Sequence, residues 1–316
     1  MPGWKASLAL VLEQNCRAKQ IGTRASHATR RKRCEVLFRG FAELRELGYR
    51  LDDVRSFRST HMRVLAEHWE KQGIAPATLQ NRISIFRVFC RWIGKPGMIE
   101  GSAKYVKSPA SVRRTTINRA DKSWSAQGID IPATIEKVRK IDDRSATILE
   151  LQWQFALRTS EAGMTQPHHD DKELWLEVDR GAKNGRLRNL AVDTDAKRDV
   201  LDRAKAKVGI NESLFDPDRD LERARAHFYR VMRKAGITRK NGITPHGLRH
   251  EMANQVFETL AGSASPVRGG TVPDDAERLL FAKIEVAELL GHSRPDVVTH
   301  YVGSYHAQSS GRKSDR

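Results

Sequence analysis

The sequence has little cysteine: Cys16, Cys34 and Cys90 are scattered, odd in number and without CxxC spacing. That argues against a disulfide scaffold or a zinc ribbon and suits a reducing cytoplasm. No apolar run approaches the roughly 18 residues a membrane-spanning helix needs, so no membrane contact is expected. Met1 to Leu12 carries one lysine and a short apolar run, Leu8 to Leu12, without a convincing signal-peptide core or cleavage site. There is no GxxxxGK[ST] or GxGxxG loop, so neither nucleotide hydrolysis nor a dinucleotide cofactor has support. Internal repeats and low-complexity tracts are also missing.

What is present is length, apolar content and positive charge. A chain of 316 residues is comfortable for two domains, and 39% hydrophobic residues are enough for real cores. The formal net charge of +17 implies an anionic partner, of which nucleic acid is the commonest. The charge is uneven. Residues 1–130 hold 25 Lys+Arg against 11 Asp+Glu, a net +14, whereas 131–316 hold 31 against 28, a net +3. The first part therefore reads as the main clamp on a phosphate backbone.

Residues 1–33 begin with a short helix and end in the basic run Arg30, Arg31, Lys32 and Arg33, which reads equally as a solvated helix end or as DNA-phosphate contacts. Phe38, Phe41 and Leu44 predict a helix from Glu35 to Leu47, stopped by Gly48. A second helix runs from Thr60 to Gln72. A third, capped by Thr78, places Leu79, Ile83, Phe86, Cys90 and Ile93 on one buried stripe, with Arg82, Arg87 and Arg91 away from it. Residues 98–130 lack periodicity and are rich in Lys, Arg and Ser. The expected division is a helical DNA-binding domain over 1–105, a basic linker over 106–130 that carries Arg113 and Arg114, and a catalytic domain over 131–316. Lys104 and Lys107 join these arginines as candidate backbone contacts. Within the last domain, helices are expected over 142–157, 221–235, 247–260 and 276–290. Two alternating stretches, 173–179 and 188–192, flank the turn signal Lys183-Asn184-Gly185. Residues 261–275 read as a surface loop.

Metal-free cleavage of a DNA phosphodiester needs guanidinium groups on the non-bridging oxygens, an in-line nucleophile and an acid for the departing 5′ oxygen. The C-terminal part offers such a set. Arg158 lies in Leu-Arg-Thr-Ser-Glu, where Glu161 can face it and hold its rotamer. Lys183 sits in the hairpin turn. His246 and Arg249, in Pro-His-Gly-Leu-Arg-His, share one face of a helix start that favours phosphate. His292 follows in Leu-Gly-His, and Tyr301 stands nine residues later. This ordered set resembles the tyrosine recombinase (phage integrase) family, over roughly 150–305. The 35–95 region is similar in placement to that family's SAM-like core-binding domain.

The resemblance implies a mainly α fold with a small β-hairpin in the catalytic domain, and two domains forming a C-shaped clamp on DNA. It implies a site-specific recombinase, or integrase, acting in integration or excision of a mobile element. Arg158 and Arg249 would clamp the scissile phosphate, with His292 adding a hydrogen bond. Tyr301 would attack to leave a 3′-phosphotyrosine, Lys183 would protonate the leaving oxygen, and His246 would assist proton transfer. No cofactor, metal or ATP is implied. The implied partners are double-stranded attachment sites, a homotetramer on two duplexes and a directionality factor, in the cytoplasm and associated with the nucleoid. Two other readings share the chemistry or the fold: a type IB topoisomerase and a catalytically silent DNA-binding regulator. A metal-dependent hydrolase built on His168, His169, Asp170 and Asp171 or on His246 and His250 is disfavoured, because HGLRH lacks the glutamate of HExxH and the His-His-Asp-Asp run reads as a solvated loop. The 43 positions from Arg249 to His292 exceed the compact family pattern, which places an insertion over 261–275, away from the centre.

Overall fold

The computed structural model describes residues 3–16, 19–20, 23–114, 116–182 and 185–306. The chain forms two compact units, Met1–Thr115 and Thr116–Arg316, so the division falls inside the 106–130 stretch.

The first unit contains α1 (Gly3–Asn15), a minimal antiparallel pair β1 (Lys19–Gln20) and β2 (Thr23–Arg24), then α2 (His27–Glu46), α3 (Ser59–Lys71) and α4 (Pro76–Trp92). Helix α2 starts well before Glu35 because Ser26 caps it, its Oγ accepting from the Thr29 amide at 3.2 Å. Its first two turns are nearly all polar, so no apolar period reveals them. Helix α4 starts at Pro76 rather than after Thr78, since proline is preorganised for the first helical position and lacks only a donor that would be unpaired there. Phe41, Phe57, Phe86 and Phe89 form the core's aromatic centre, with Phe57 stacked on Phe86 at 5.1 Å. The chain after α4 packs back: Tyr105 and Val112 are buried, and Glu70 accepts from the Lys107 and Ser108 amides and the Ser111 hydroxyl.

The second unit runs α5 (Ile131–Arg139), α6 (Asp143–Gln154), α7 (Thr159–Met164), α8 (Pro167–Asp170), β3 (Trp175–Val178), β4 (Arg188–Ala191), α9 (Asp195–Lys205), α10 (Leu221–Lys234), α11 (Pro245–Ala261), α12 (Ala276–Leu289) and α13 (Thr299–Val302). It is mainly helical with one small antiparallel sheet, in which Trp175 faces Ala191 and Val178 faces Arg188. One apolar cluster gathers Trp124, Leu149, Phe155, Phe228 and Leu248; another gathers Phe257, Val286, Leu290, Val298 and Tyr301. Helix α9 escapes a periodicity reading because it buries only Val200, Leu201 and Ala204 among charged neighbours. The 261–275 segment differs from the remote surface loop expected. Its Ser265 and Pro266 are buried, and Arg268 pairs with Asp121 (2.8 Å), Glu258 (3.0 Å) and Glu251 (3.1 Å).

Candidate active site

The site assembles where α7, α11 and α13 meet the Leu290–His292 turn. Arg158 is the N-cap residue of α7, which places Glu161 on the same face. Arg158 Nη1 donates to Glu161 Oε1 (2.5 Å), its backbone amide to Glu161 Oε2 (2.8 Å), and its Nη2 to the Leu290 carbonyl (3.1 Å). Arg249, one turn into α11, is fully buried. Its Nη1 donates to the Ala156 carbonyl, its Nη2 to the Leu290 carbonyl, and its Nε to the Tyr301 hydroxyl at 3.2 Å. The two arginines, 91 positions apart in sequence, therefore meet at one carbonyl, that of Leu290. Gly291 makes this possible. It has φ +63, and a Cβ there would stand 3.0 Å from an Arg188 nitrogen. Ala156 is also left-handed, at φ 50, which aims its carbonyl at Arg249 at some cost in backbone strain.

Tyr301 is buried in the single turn of α13, ringed by imidazoles: its ring centroid lies 5.8 Å from His246, 4.9 Å from His250 and 5.9 Å from His292. The structure thus brings Arg158, Glu161, His246, Arg249, His292 and Tyr301 into one cluster. Lys183 lies outside the described residues.

Electrostatics here is set by burial and by guanidinium charge. Glu161 is buried, which opposes its charge, but hydrogen bonds and charge from Arg188, then from Arg158, outweigh this and hold it at about 2. Burial, then the charges of His246 and Lys122, lower His250 to about 3, so it is neutral. His246 is lowered to about 4 by the surrounding protein and then by Arg249, Arg158 and Lys122. The residue as a whole is nonetheless exposed. Burial lowers Arg249 to about 10, which leaves it charged at neutral pH.

Sequence reasoning missed Arg188, His250 and Asn118. Arg188, at the start of β4, grips Glu161 with two donors, at 2.8 and 3.2 Å, and its side chain is 8% exposed. Its only signal was a basic residue at the head of a strand. His250 was visible as the last residue of HGLRH. Asn118 gave no signal.

The basic residues of the first unit divide by burial. Arg31 and Lys32 are exposed and pair with Glu35 at 3.0 and 3.8 Å, and Arg30 is half-buried. Arg33 corrects the expectation of a phosphate contact: it is buried, with its guanidinium 5.6 Å from the Trp92 ring centre. Arg82 and Arg87 also turn inward. Arg82 lies 5.0 Å over Trp69, and Arg87 donates to the Ile99 (3.1 Å) and Glu100 (2.5 Å) carbonyls, so both are half-buried supports of the fold. Arg91, Lys104, Lys107, Arg113 and Arg114 are exposed, with Lys104 paired to Glu100.

The histidines and aspartates considered as metal ligands are engaged elsewhere. His168 and His169 bond to Lys205, Val208 and Asn211, while Asp170 pairs with Arg180 and Asp171 with Arg198 and Lys205. Among the described residues no group of three or more His, Cys, Asp or Glu is arranged to hold a metal ion. No helix among them is long and apolar enough to cross a membrane.

Residues 9–99 match the family model described as phage integrase, N-terminal. The chain is 26% identical over 254 residues to tyrosine recombinase XerC of Xanthomonas campestris pv. campestris, covering 78% of this chain and 70% of the relative. In structure it is similar to a lambda integrase dimer bound to a COC′ core site, with TM-score 0.58, 14% identity and 94% of each chain covered. It is also similar to a lambda integrase tetramer bound to a Holliday junction, with TM-score 0.58, 13% identity, and 94% of this chain and 76% of that one covered.

Proposed function

We propose that this chain is a tyrosine recombinase that cuts and rejoins double-stranded DNA at specific sites through a 3′-phosphotyrosyl bond to Tyr301. The observation that carries the reading is the buried Arg249 guanidinium donating to the Tyr301 hydroxyl, beside Arg158, His246 and His292. Arg158 and Arg249 supply the two positive charges that a pentacoordinate phosphorus needs on its non-bridging oxygens. They are preorganised, since Glu161 and the Leu290 carbonyl fix their geometry before DNA arrives. A protein-supplied clamp of this kind needs no metal. The phenolic oxygen attacks phosphorus, the P–O5′ bond breaks, and Lys183 gives a proton to the departing 5′ oxygen. Neutral His246 accepts the phenolic proton, and His292 donates a hydrogen bond to the phosphate. The bond energy stays in the phosphotyrosyl ester, so a 5′-hydroxyl reverses the step without ATP.

Exchange between two duplexes needs four such sites, so the working form is a homotetramer on paired attachment sites. The exposed Arg31, Lys32, Arg91, Lys104, Lys107, Arg113 and Arg114 contact the phosphate backbone, and the reaction serves integration or excision of a mobile element in the cytoplasm. A directionality factor is a proposed accessory partner. The test is covalent capture. The chain is incubated with a pool of nicked duplexes of randomised core sequence, in which the cleaved end diffuses away. A band that survives denaturation and disappears with Tyr301→Phe is expected. A wild-type chain that binds DNA and yields no such band overturns the reading.

A further inference from the structure

Helix α13 is one turn long, too short to hold its own position. Its backbone is fixed from outside, by two segments that motif reading assigns no role. Asn118 is buried near the start of the second unit. Its backbone amide donates to the Thr299 carbonyl (3.0 Å), and its Nδ2 donates to the Tyr301 carbonyl (2.9 Å). On the other flank Gly303 leaves the turn at φ +83, where a Cβ would stand 3.0 Å from the Asn118 carbonyl oxygen and 2.8 Å from Val267 Cγ1. The chain around Tyr301 is thus pinched between Asn118 and the 261–275 segment.

These two flanks are locked to each other. Arg268, from 261–275, binds Asp121 at 2.8 Å, Glu258 at 3.0 Å and Glu251 at 3.1 Å. Glu251 in turn accepts from the Ser125 amide (2.9 Å) and hydroxyl (2.7 Å). Trp124 Nε1 adds a bond to the Thr244 carbonyl at the head of α11. Residues 116–125 therefore form a strap across the helix that carries His246 and Arg249, ending on the backbone of Tyr301.

We propose that Asn118 is a positioning residue for the nucleophile, and that Arg268 keeps it in place by joining strap to insertion. The inference rests on Tyr301 being that nucleophile. The phenol end of Tyr301 accepts from Arg249 Nε, on a guanidinium that an incoming phosphate must share. The backbone end is what stays fixed when DNA enters. In-line attack tolerates little displacement, and a misplacement of about 1 Å costs roughly 100-fold in rate.

The experiment uses the full chain and the same pool of nicked duplexes, at saturating protein in a single turnover. Asn118→Ala is expected to form the covalent adduct roughly 10- to 100-fold more slowly at unchanged DNA affinity. Arg268→Ala moves the rate in the same direction by less. Asn118→Asp supplies a second readout, taken only at pH values where its urea denaturation shows a folded chain, so that loss of fold does not enter the rate. Its carboxylate cannot donate to the Tyr301 carbonyl but its protonated form can, so the ratio of its rate to the wild-type rate rises as pH falls. Wild-type rates in Asn118→Ala, or a ratio flat with pH in Asn118→Asp, overturn the inference. Should Asn118→Ala fail to fold, the pH ratio of Asn118→Asp decides. A wild-type chain that yields no adduct overturns the functional reading instead.

Discussion

Replacing Glu161 with glutamine keeps its shape and removes a negative charge that faces Arg158, Arg188 and Arg249. Its carboxylate is fully buried, 2.5 Å from Arg158 Nη1, 2.8 Å from Arg188 Nη2 and 3.9 Å from Arg249 Nη1. The gap between an ordinary 4.5 and the value of about 2 here corresponds to about 3 kcal/mol of preference for the charged form. Breaking a buried ion pair from one side costs about 3–5 kcal/mol, because the remaining cations are left uncompensated. The two routes agree, so Glu161→Gln should destabilise the second unit by about 3 kcal/mol at pH 7, or roughly 6–12 °C in Tm for a unit of this size. The sign follows from the depressed pKa. The stabilisation is complete above the unfolded value near 4.5 and is lost as pH falls toward 2. Urea denaturation of both proteins at pH 7, 5 and 3 measures it, with the wild-type advantage more than halved by about pH 3. An advantage below about 1 kcal/mol at pH 7, or one that does not narrow with acid, would refute the reasoning. Cleavage should fall as well, since Arg158 loses the partner that fixes its rotamer.

Three further outcomes follow from the same geometry. Arg188→Ala should destabilise by a similar about 3 kcal/mol, and the double variant with Glu161→Gln should cost clearly less than the sum. Additive losses in a double-mutant cycle would show that the two do not act as a pair. His250 is buried neutral with its pKa lowered to about 3, so stability is full above the unfolded value near 6.5 and drains as pH falls below it. His250→Gln should flatten the acid side of the stability profile between pH 6.5 and 4, and an unchanged slope there would exclude this origin. In the first unit, Arg113→Ala and Arg114→Ala should weaken DNA binding and each lower the salt slope by about 0.9, leaving Tm unchanged. Arg33→Ala, which strips a buried guanidinium from Trp92, should lower Tm and leave the salt slope alone.

The reacting groups were readable because phosphoryl transfer fixes residue type and order. Arg158, His246, Arg249, His292 and Tyr301 stand together in the fold, and each was visible from motif and spacing. What surrounds them was not readable, since it arises only on folding. Arg188 acquires its partner when the β3–β4 hairpin closes on α7, and Asn118 meets Tyr301 across 183 positions of sequence. The 261–275 segment has the composition of a loop. The ion pairs of Arg268 with three acids from two other segments, and the close approach of Val267 to Gly303, make it part of the site. The same logic explains the basic residues. A helical wheel separates stripe from non-stripe, but it cannot show that Arg82 and Arg87 bend back onto Trp69 and the 99–100 backbone.

The most direct test of the central claim is to identify the atom that joins protein to DNA. Adducts captured on nicked duplexes are digested with protease and nuclease, and the modified peptide is sequenced by mass spectrometry. One nucleotide is expected, attached through its 3′ phosphate to the Tyr301 oxygen, with a free 5′-hydroxyl on the released strand. Attachment at any other side chain, linkage through a 5′ phosphate, or cleavage with no protein attached would contradict the central claim.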